Sequence, residues 1–242
     1  MLKEIGSVFS FLTIIPTSKA QLETIAKYMY LFPIVGVAIG LVVGSFGFGL
    51  SFLGLEPLVI GLLVMAAFAL ITGIHHIDGL ADFADGLMTK GTKEKKLQAM
   101  KDLSTGSSGI VTVVLYIVGM IIALSLADGY LLFQAILVSE IIAKFSMVLM
   151  ASAGHSATLG SNSPFVELMK DRKKLIVSLV LTIVPIIVVA GSIGMIVFAA
   201  SVILTLFLVG ISTRSFGGIT GDVLGATNEL TRLSSLLIFV TI

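Results

Sequence analysis

The sequence has no cysteine, and only 12% of its 242 residues are charged. The first absence excludes disulfides, thiolate zinc sites, iron–sulfur clusters and cysteine nucleophiles, though it identifies no redox compartment. The second is about half the charge of an ordinary soluble domain. Neither sign dominates: 15 basic against 14 acidic residues leave a formal net charge of +1, which gives no pull toward nucleic acid. What is present instead is apolar, 57% of the chain, with a mean hydropathy of +1.12. Disordered chains are poor in such residues, and so few charges cannot cover that much apolar surface in water. The composition is that of a polytopic membrane protein.

A membrane-crossing helix needs about 20 mostly apolar residues. Six windows meet this, at 30–50, 57–76, 109–127, 130–153, 174–190 and 193–212, and a shorter, partly polar seventh runs over 222–242. The expected fold is an all-α helix bundle of six to seven spans forming a single domain over 1–242. Basic residues orient it. Lys3, Lys19 and Lys27 precede the first window; Lys90, Lys93, Lys95, Lys96 and Lys101 separate the second and third. Lys170, Arg172, Lys173 and Lys174 separate the fourth and fifth, and Arg214 and Arg232 follow the sixth. The intervening loops have no Lys or Arg, so the positive-inside rule puts the N-terminus in the cytoplasm of a multi-pass cell-membrane protein. Residues 1–28 read as an interfacial segment, because Ile5, Val8, Phe9 and Leu12 recur at helical spacing. Met1–Ala20, broken at Pro16, does not have the pattern of a secretory signal. Gly36, Gly40 and Gly44 make a small-residue face for close helix packing, within one chain or between copies in a homo-oligomer.

The acidic residues gather at the cytoplasmic end of the second window, in Thr72-Gly-Ile-His-His-Ile-Asp-Gly-Leu-Ala-Asp-Phe-Ala-Asp-Gly86. On a helix turning about 100° per residue, Asp82 and Asp85 stand at about 40° and −20° from Asp78. Three carboxylates on one face repel unless a cation joins them or one is protonated. Oxygen-only donors favour a hard ion such as Mg²⁺ or Mn²⁺. The run Lys93–Lys96, by contrast, reads as a solvated helix face. His75 falls at about 60°, on the acidic side, and His76 at about 160°, on the other. Geometry therefore nominates His75 as a ligand or proton carrier.

Three other places carry polar chemistry. Lys101-Asp102 precedes Gly106 and Gly109 at the start of the third window, where backbone N–H groups could cradle phosphate. The segment from Arg214 to Glu229 is too polar for lipid, and Asp222 and Glu229 share a face if it is helical. Within the fourth window Glu140 and Lys144 are one helical turn apart, either as a buried structural pair or with Lys144 turned to a phosphate.

In this order, the segments resemble the cobalamin-5′-phosphate synthase family, the adenosylcobinamide-GDP ribazoletransferases, over nearly the whole chain. The resemblance rests on Thr72-Gly73-x-x-His76-x-Asp78-Gly79-Leu80-Ala81-Asp82-x-x-Asp85-Gly86, on Lys93-Glu94-Lys95 with Leu97, on Met100-Lys101-Asp102, on Gly106-x-x-Gly109, and on Gly217 to Ala226 followed by Glu229-Leu230. Ser104 and Lys144 stand where members often carry arginine, and a usual glycine run is reduced to Gly91. The resemblance implies a Mg²⁺-dependent integral membrane enzyme. Its partners are adenosylcobinamide-GDP and α-ribazole or its 5′-phosphate, joined with release of GMP. It implies that Asp78, Asp82, Asp85 and Asp222 hold metal, with Asp82 or Asp85 doubling as base. His76, Lys101, Asp102, Gly106, Gly109, Lys144, Arg214, Thr220 and Glu229 are then expected around the substrate, Lys101 and Arg214 on the diphosphate. His76 comes from the resemblance and His75 from geometry.

Two rivals fit less well. Membrane phosphotransferases acting on CDP-alcohols share an acidic motif but follow its first pair with Ala-Arg, and no arginine occurs here. A cation- or proton-coupled transporter would place its ionisable groups near the midplane, whereas most of these lie to one side.

Overall fold

The computed structural model describes residues 2–17, 21–157 and 163–242. Lys19, and the side chain of Lys3, lie outside the described residues. Eleven helices follow in order among them: α1 (Leu2–Leu12), α2 (Leu22–Lys27), α3 (Phe32–Leu50), α4 (Pro57–Thr72), α5 (His75–Met88), α6 (Lys93–Ala99), α7 (Ser107–Ser125), α8 (Gly129–Ala153), α9 (Ser163–Leu168), α10 (Arg172–Phe216) and α11 (Gly221–Thr241). By length and composition five helices can cross a membrane, or six if α4 and α5 count as one bent span. The fold is an all-α polytopic bundle.

Helix α8 is its axis, buried from Leu132 to Ala151 with few breaks and flanked by α3, α10 and α11. The glycine face of α3 makes this packing close. A Cβ on Gly36 would lie 2.9 Å from the Glu140 carbonyl oxygen, and one on Gly40 would lie 2.8 Å from Leu137. The small-residue stripe is therefore used within the chain.

The windows 174–190 and 193–212 form one 45-residue element broken at Gly191, whose φ of 52° and ψ of −130° are not helical. In a straight helix Ile186 and Gly194 would be about 12 Å apart. Here the Ile186 side chain comes within 2.6 Å of a Cβ built on Gly194, so the chain doubles back. The Val189 carbonyl beside the break accepts from Gln134 Nε2 at 2.5 Å, which satisfies an acceptor the turn would orphan.

The N-terminal helix does more than lie at an interface. Val8 and Leu12 are buried, and past its end the Ile14 N–H donates to the Ile71 carbonyl at 2.9 Å, pinning α1 to the end of α4. The second window stops short of its expected end at 76. Thr72 ends α4, Gly73 (φ 68°) and Ile74 (φ 55°) both turn left-handed, and α5 departs at 94°. Left-handed backbone suits glycine but costs a β-branched residue about 1–3 kcal/mol, a strain typical of functional sites.

Candidate active site

Helix α5 runs unbroken from His75 to Met88, so Asp78, Asp82 and Asp85 do share a face. A fourth carboxylate arrives from α11. At the crossing of α5 and α11, a Cβ on Gly79 would lie 3.1 Å from the Asp222 backbone, and one on Gly225 would lie 3.3 Å from that of His76. Side chains at either position would push the helices apart; glycines bring Asp222 up to the acidic face. Thr220 caps α11 by accepting from the Val223 N–H at 3.2 Å, and its hydroxyl reaches Asp222 at 3.4 Å.

The electrostatics record the crowding. Asp82 is raised to about 6, first by partial burial and then by Asp222, Asp78 and Asp85. Among the described residues no three metal-binding side chains already stand as a closed cage. Such a cage is not what Mg²⁺ requires, since it is commonly held by one or two carboxylates together with substrate phosphates and water. The donor set, oxygen-only and mutually repelling, fits that ion.

Asp85 is held differently from its neighbours. Gly106 N–H donates to one of its oxygens at 2.7 Å and Gly109 N–H to the other at 2.8 Å. The amides expected to cradle a phosphate at the start of α7 are thus already filled by a carboxylate of the protein. The same helix-terminus attraction for anions is at work, with an internal anion. A Cβ on either glycine would fall 2.6 Å from an Asp85 oxygen. Gly109→Ala is expected to lower stability by about 1–3 kcal/mol, the usual cost of overpacking, read as a lower melting temperature of the purified protein.

The surrounding basic residues divide by role. Lys101 is exposed and close enough to Asp222 to act on its charge, and Arg214 is exposed at the end of α10. Lys96 instead caps α5, its ammonium donating to the Leu87 carbonyl at 2.7 Å. Asp102 turns onto its own loop, accepting the Ser104 N–H at 3.0 Å and hydroxyl at 3.2 Å, which hold it below the usual carboxylate range.

Two expected substrate contacts lie elsewhere. Lys144 and Glu229 are fully buried in a cluster between α5, α7, α8 and α11, not at a surface a diphosphate could reach. Lys144 pairs with Glu140 at 2.7 Å and donates to Asn228 at 2.8 Å. Arg232 binds Glu140 at 2.6 Å and also Glu229, and its guanidinium lies 5.0 Å from the Phe68 ring centre. Tyr116 donates to Glu229, as does Asn228 at 2.8 Å. The buried-pair reading of Glu140 and Lys144 is the one the packing matches, because a charge in an apolar interior must be paired. Arg232, counted above among loop residues after the sixth window, is buried within α11, so it carries no information about orientation. Tyr116, Asn228 and Phe68 carried no signal in the sequence; the one-turn spacing of Glu229 and Arg232 was a signal that hydropathy counting passes over.

The histidines separate along the same line. His76 points inward, its Nδ1 buried without a hydrogen-bond partner and 3.8 Å from Glu229. His75 is exposed. Both line a cleft that also includes Asp222.

A family model described as cobalamin-5-phosphate synthase matches residues 4–240. The chain is 33% identical to an adenosylcobinamide-GDP ribazoletransferase of Archaeoglobus fulgidus, over 98% of this chain and 96% of the relative. It is 32% identical to relatives of the same name from Pyrococcus abyssi, over 96% and 95% of the two chains, and Thermococcus kodakarensis, over 98% and 97%. No solved structure matches.

Proposed function

The chain belongs to the cobalamin-5-phosphate synthase family and is an adenosylcobinamide-GDP ribazoletransferase, and on that premise we propose how its residues serve the reaction. The substrates are adenosylcobinamide-GDP and α-ribazole or its 5′-phosphate. A ribose hydroxyl oxygen attacks the phosphorus on the cobinamide side of the diphosphate. The bond from that phosphorus to the bridging oxygen breaks, and GMP leaves with the oxygen. The hydroxyl proton passes to a carboxylate.

One observation carries this reading: the crossing of α5 and α11 at Gly79 brings Asp222 up to the helix face that carries Asp78, Asp82 and Asp85. These four would hold Mg²⁺, which would supply positive charge to offset the negative charge that develops on the leaving phosphate. Asp85 is fixed by two backbone amides, so it serves as a rigid ligand. Asp82, raised to about 6, is the proton acceptor. Lys101 and Arg214 supply cationic contacts to the diphosphate.

The site faces the cytoplasm of the cell membrane. Its support is the basic run Lys90–Lys101, which includes α6 and is tied by Lys96 to the end of the helix that carries the aspartates.

Purified protein given adenosylcobinamide-GDP, α-ribazole and Mg²⁺ is expected to release GMP. Release of CMP from a CDP-alcohol and no GMP from this pair would overturn the reading, as would ion flux in liposomes without nucleotide chemistry. The Asp82 value sets a second expectation. Protons compete with metal for this carboxylate, so the apparent Mg²⁺ affinity falls by up to about tenfold per unit as pH drops below about 6. Metal titrations of activity across pH 5 to 8, roughly the span over which such a group changes charge, measure it directly.

A further inference from the structure

The cleft that holds both histidines is separate from the diphosphate contacts. It measures about 410 Å³ and lies between α1, α5 and α11, walled by Phe11, His75, His76 and Asp222, with Gly79 and Gly225 at the helix crossing. That volume is near the lower end of the roughly 300–1,000 Å³ that takes one drug-sized ligand. A base with its ribose fits; a corrin ring does not.

The chemistry of the walls narrows the occupant. Among the described residues no lysine or arginine lines the cleft, and Asp222 does. A phosphate there would meet no cationic side chain, since Lys101 and Arg214 lie outside the cleft, so the guanosine end of the first substrate, whose diphosphate those two residues contact, is disfavoured. Two rings offer faces: Phe11, 37% exposed, and the exposed His75. The wall from α1 is held in place by the Ile14–Ile71 hydrogen bond and by the stacking of Phe11 on Phe165, with ring centres 5.7 Å apart.

Resting on the transferase reading above, we propose that this cleft seats the heteroaromatic base and ribose of the attacking nucleoside, with His75 stacked on the base. Asp222 stands at the join between cleft and acidic face, so a nucleoside seated here presents its ribose hydroxyls to the proposed metal ligands. The phosphate of α-ribazole 5′-phosphate, when present, points out of the mouth. The N-terminal helix thereby becomes part of the substrate site.

The test uses the full chain in detergent or nanodiscs. Binding of α-ribazole alone is measured by equilibrium dialysis, so the result does not depend on turnover. His75→Ala is expected to weaken that binding about tenfold, in the range of base–aromatic stacking, and to raise KM for α-ribazole alike. KM for adenosylcobinamide-GDP stays within about twofold, and His75→Phe, which keeps a stacking face, restores binding to within about threefold. Phe11→Ala shifts the same parameters in the same direction. A rise in KM for adenosylcobinamide-GDP instead would assign the cleft to guanosine and overturn the proposal. Unchanged α-ribazole binding in both variants, or failure of phenylalanine to restore it, would also overturn it. Wild-type protein that binds α-ribazole yet releases no GMP from any pair would sink the transferase reading and leave the cleft assignment standing.

Discussion

Asp82→Asn is expected to lower turnover by about 10²–10⁴-fold, the range a positioned proton acceptor contributes. Asparagine keeps the size of the side chain and removes both the charge that draws a metal ion and the basic carboxylate oxygen that takes the proton. The loss should come without unfolding. Asp82 is raised from its ordinary carboxylate value to about 6, so the folded state binds its proton more tightly than the unfolded chain does. Any stability linked to that proton is present at low pH and is lost as pH rises from about 4 through about 6. At neutral pH without metal, the ionised carboxylate therefore opposes folding, and asparagine relieves the repulsion. Melting of the metal-free variant at pH 7 or above should match or exceed wild type. Turnover within about threefold of wild type in a folded variant would remove Asp82 from the mechanism.

Arg232→Met is expected to destabilise the bundle by about 3–5 kcal/mol, the cost of breaking a buried ion pair from one side. Arg232 serves both Glu140 and Glu229 and lies over Phe68, so its loss leaves two interior carboxylates against the single ammonium of Lys144. Lysine at the same position should recover only part of the loss, because a point charge cannot serve two carboxylates with the fork of a guanidinium. Adding Glu140→Gln to Arg232→Met should cost less than the two separate losses summed, since it removes one stranded charge. A denaturation series on the detergent-solubilised protein closes that cycle. Additive losses would mean the two side chains do not act on each other.

These two residues also mark what could be read from the sequence. Asp82 was legible because helical periodicity is local: a turn of about 100° per residue places Asp78, Asp82 and Asp85 together whatever else the chain does. The bundle was legible for the same reason, as a succession of apolar windows. Arg232 was misplaced because hydropathy counts along the chain and is blind to what packs across from a residue. The polar length of α11 is buried against protein, where Tyr116, Glu140 and Lys144 receive it. Gly106 and Gly109 show the converse failure. A glycine pair at a helix start signals close approach by an anion but does not say which one, and here it is Asp85. The end of the second span was misjudged because Gly73 and Ile74 turn the chain by backbone conformation, which leaves the apolar run uninterrupted.

The buried cluster has one more property. Glu140 and Glu229 are matched by Lys144 and Arg232, two negative groups against two positive, enclosed between the same helices. A membrane potential acts on net charge, at about 2.3 kcal/mol per elementary charge for each 100 mV crossed. Because the four charges sum to zero, an energised membrane finds no unbalanced charge here to push on.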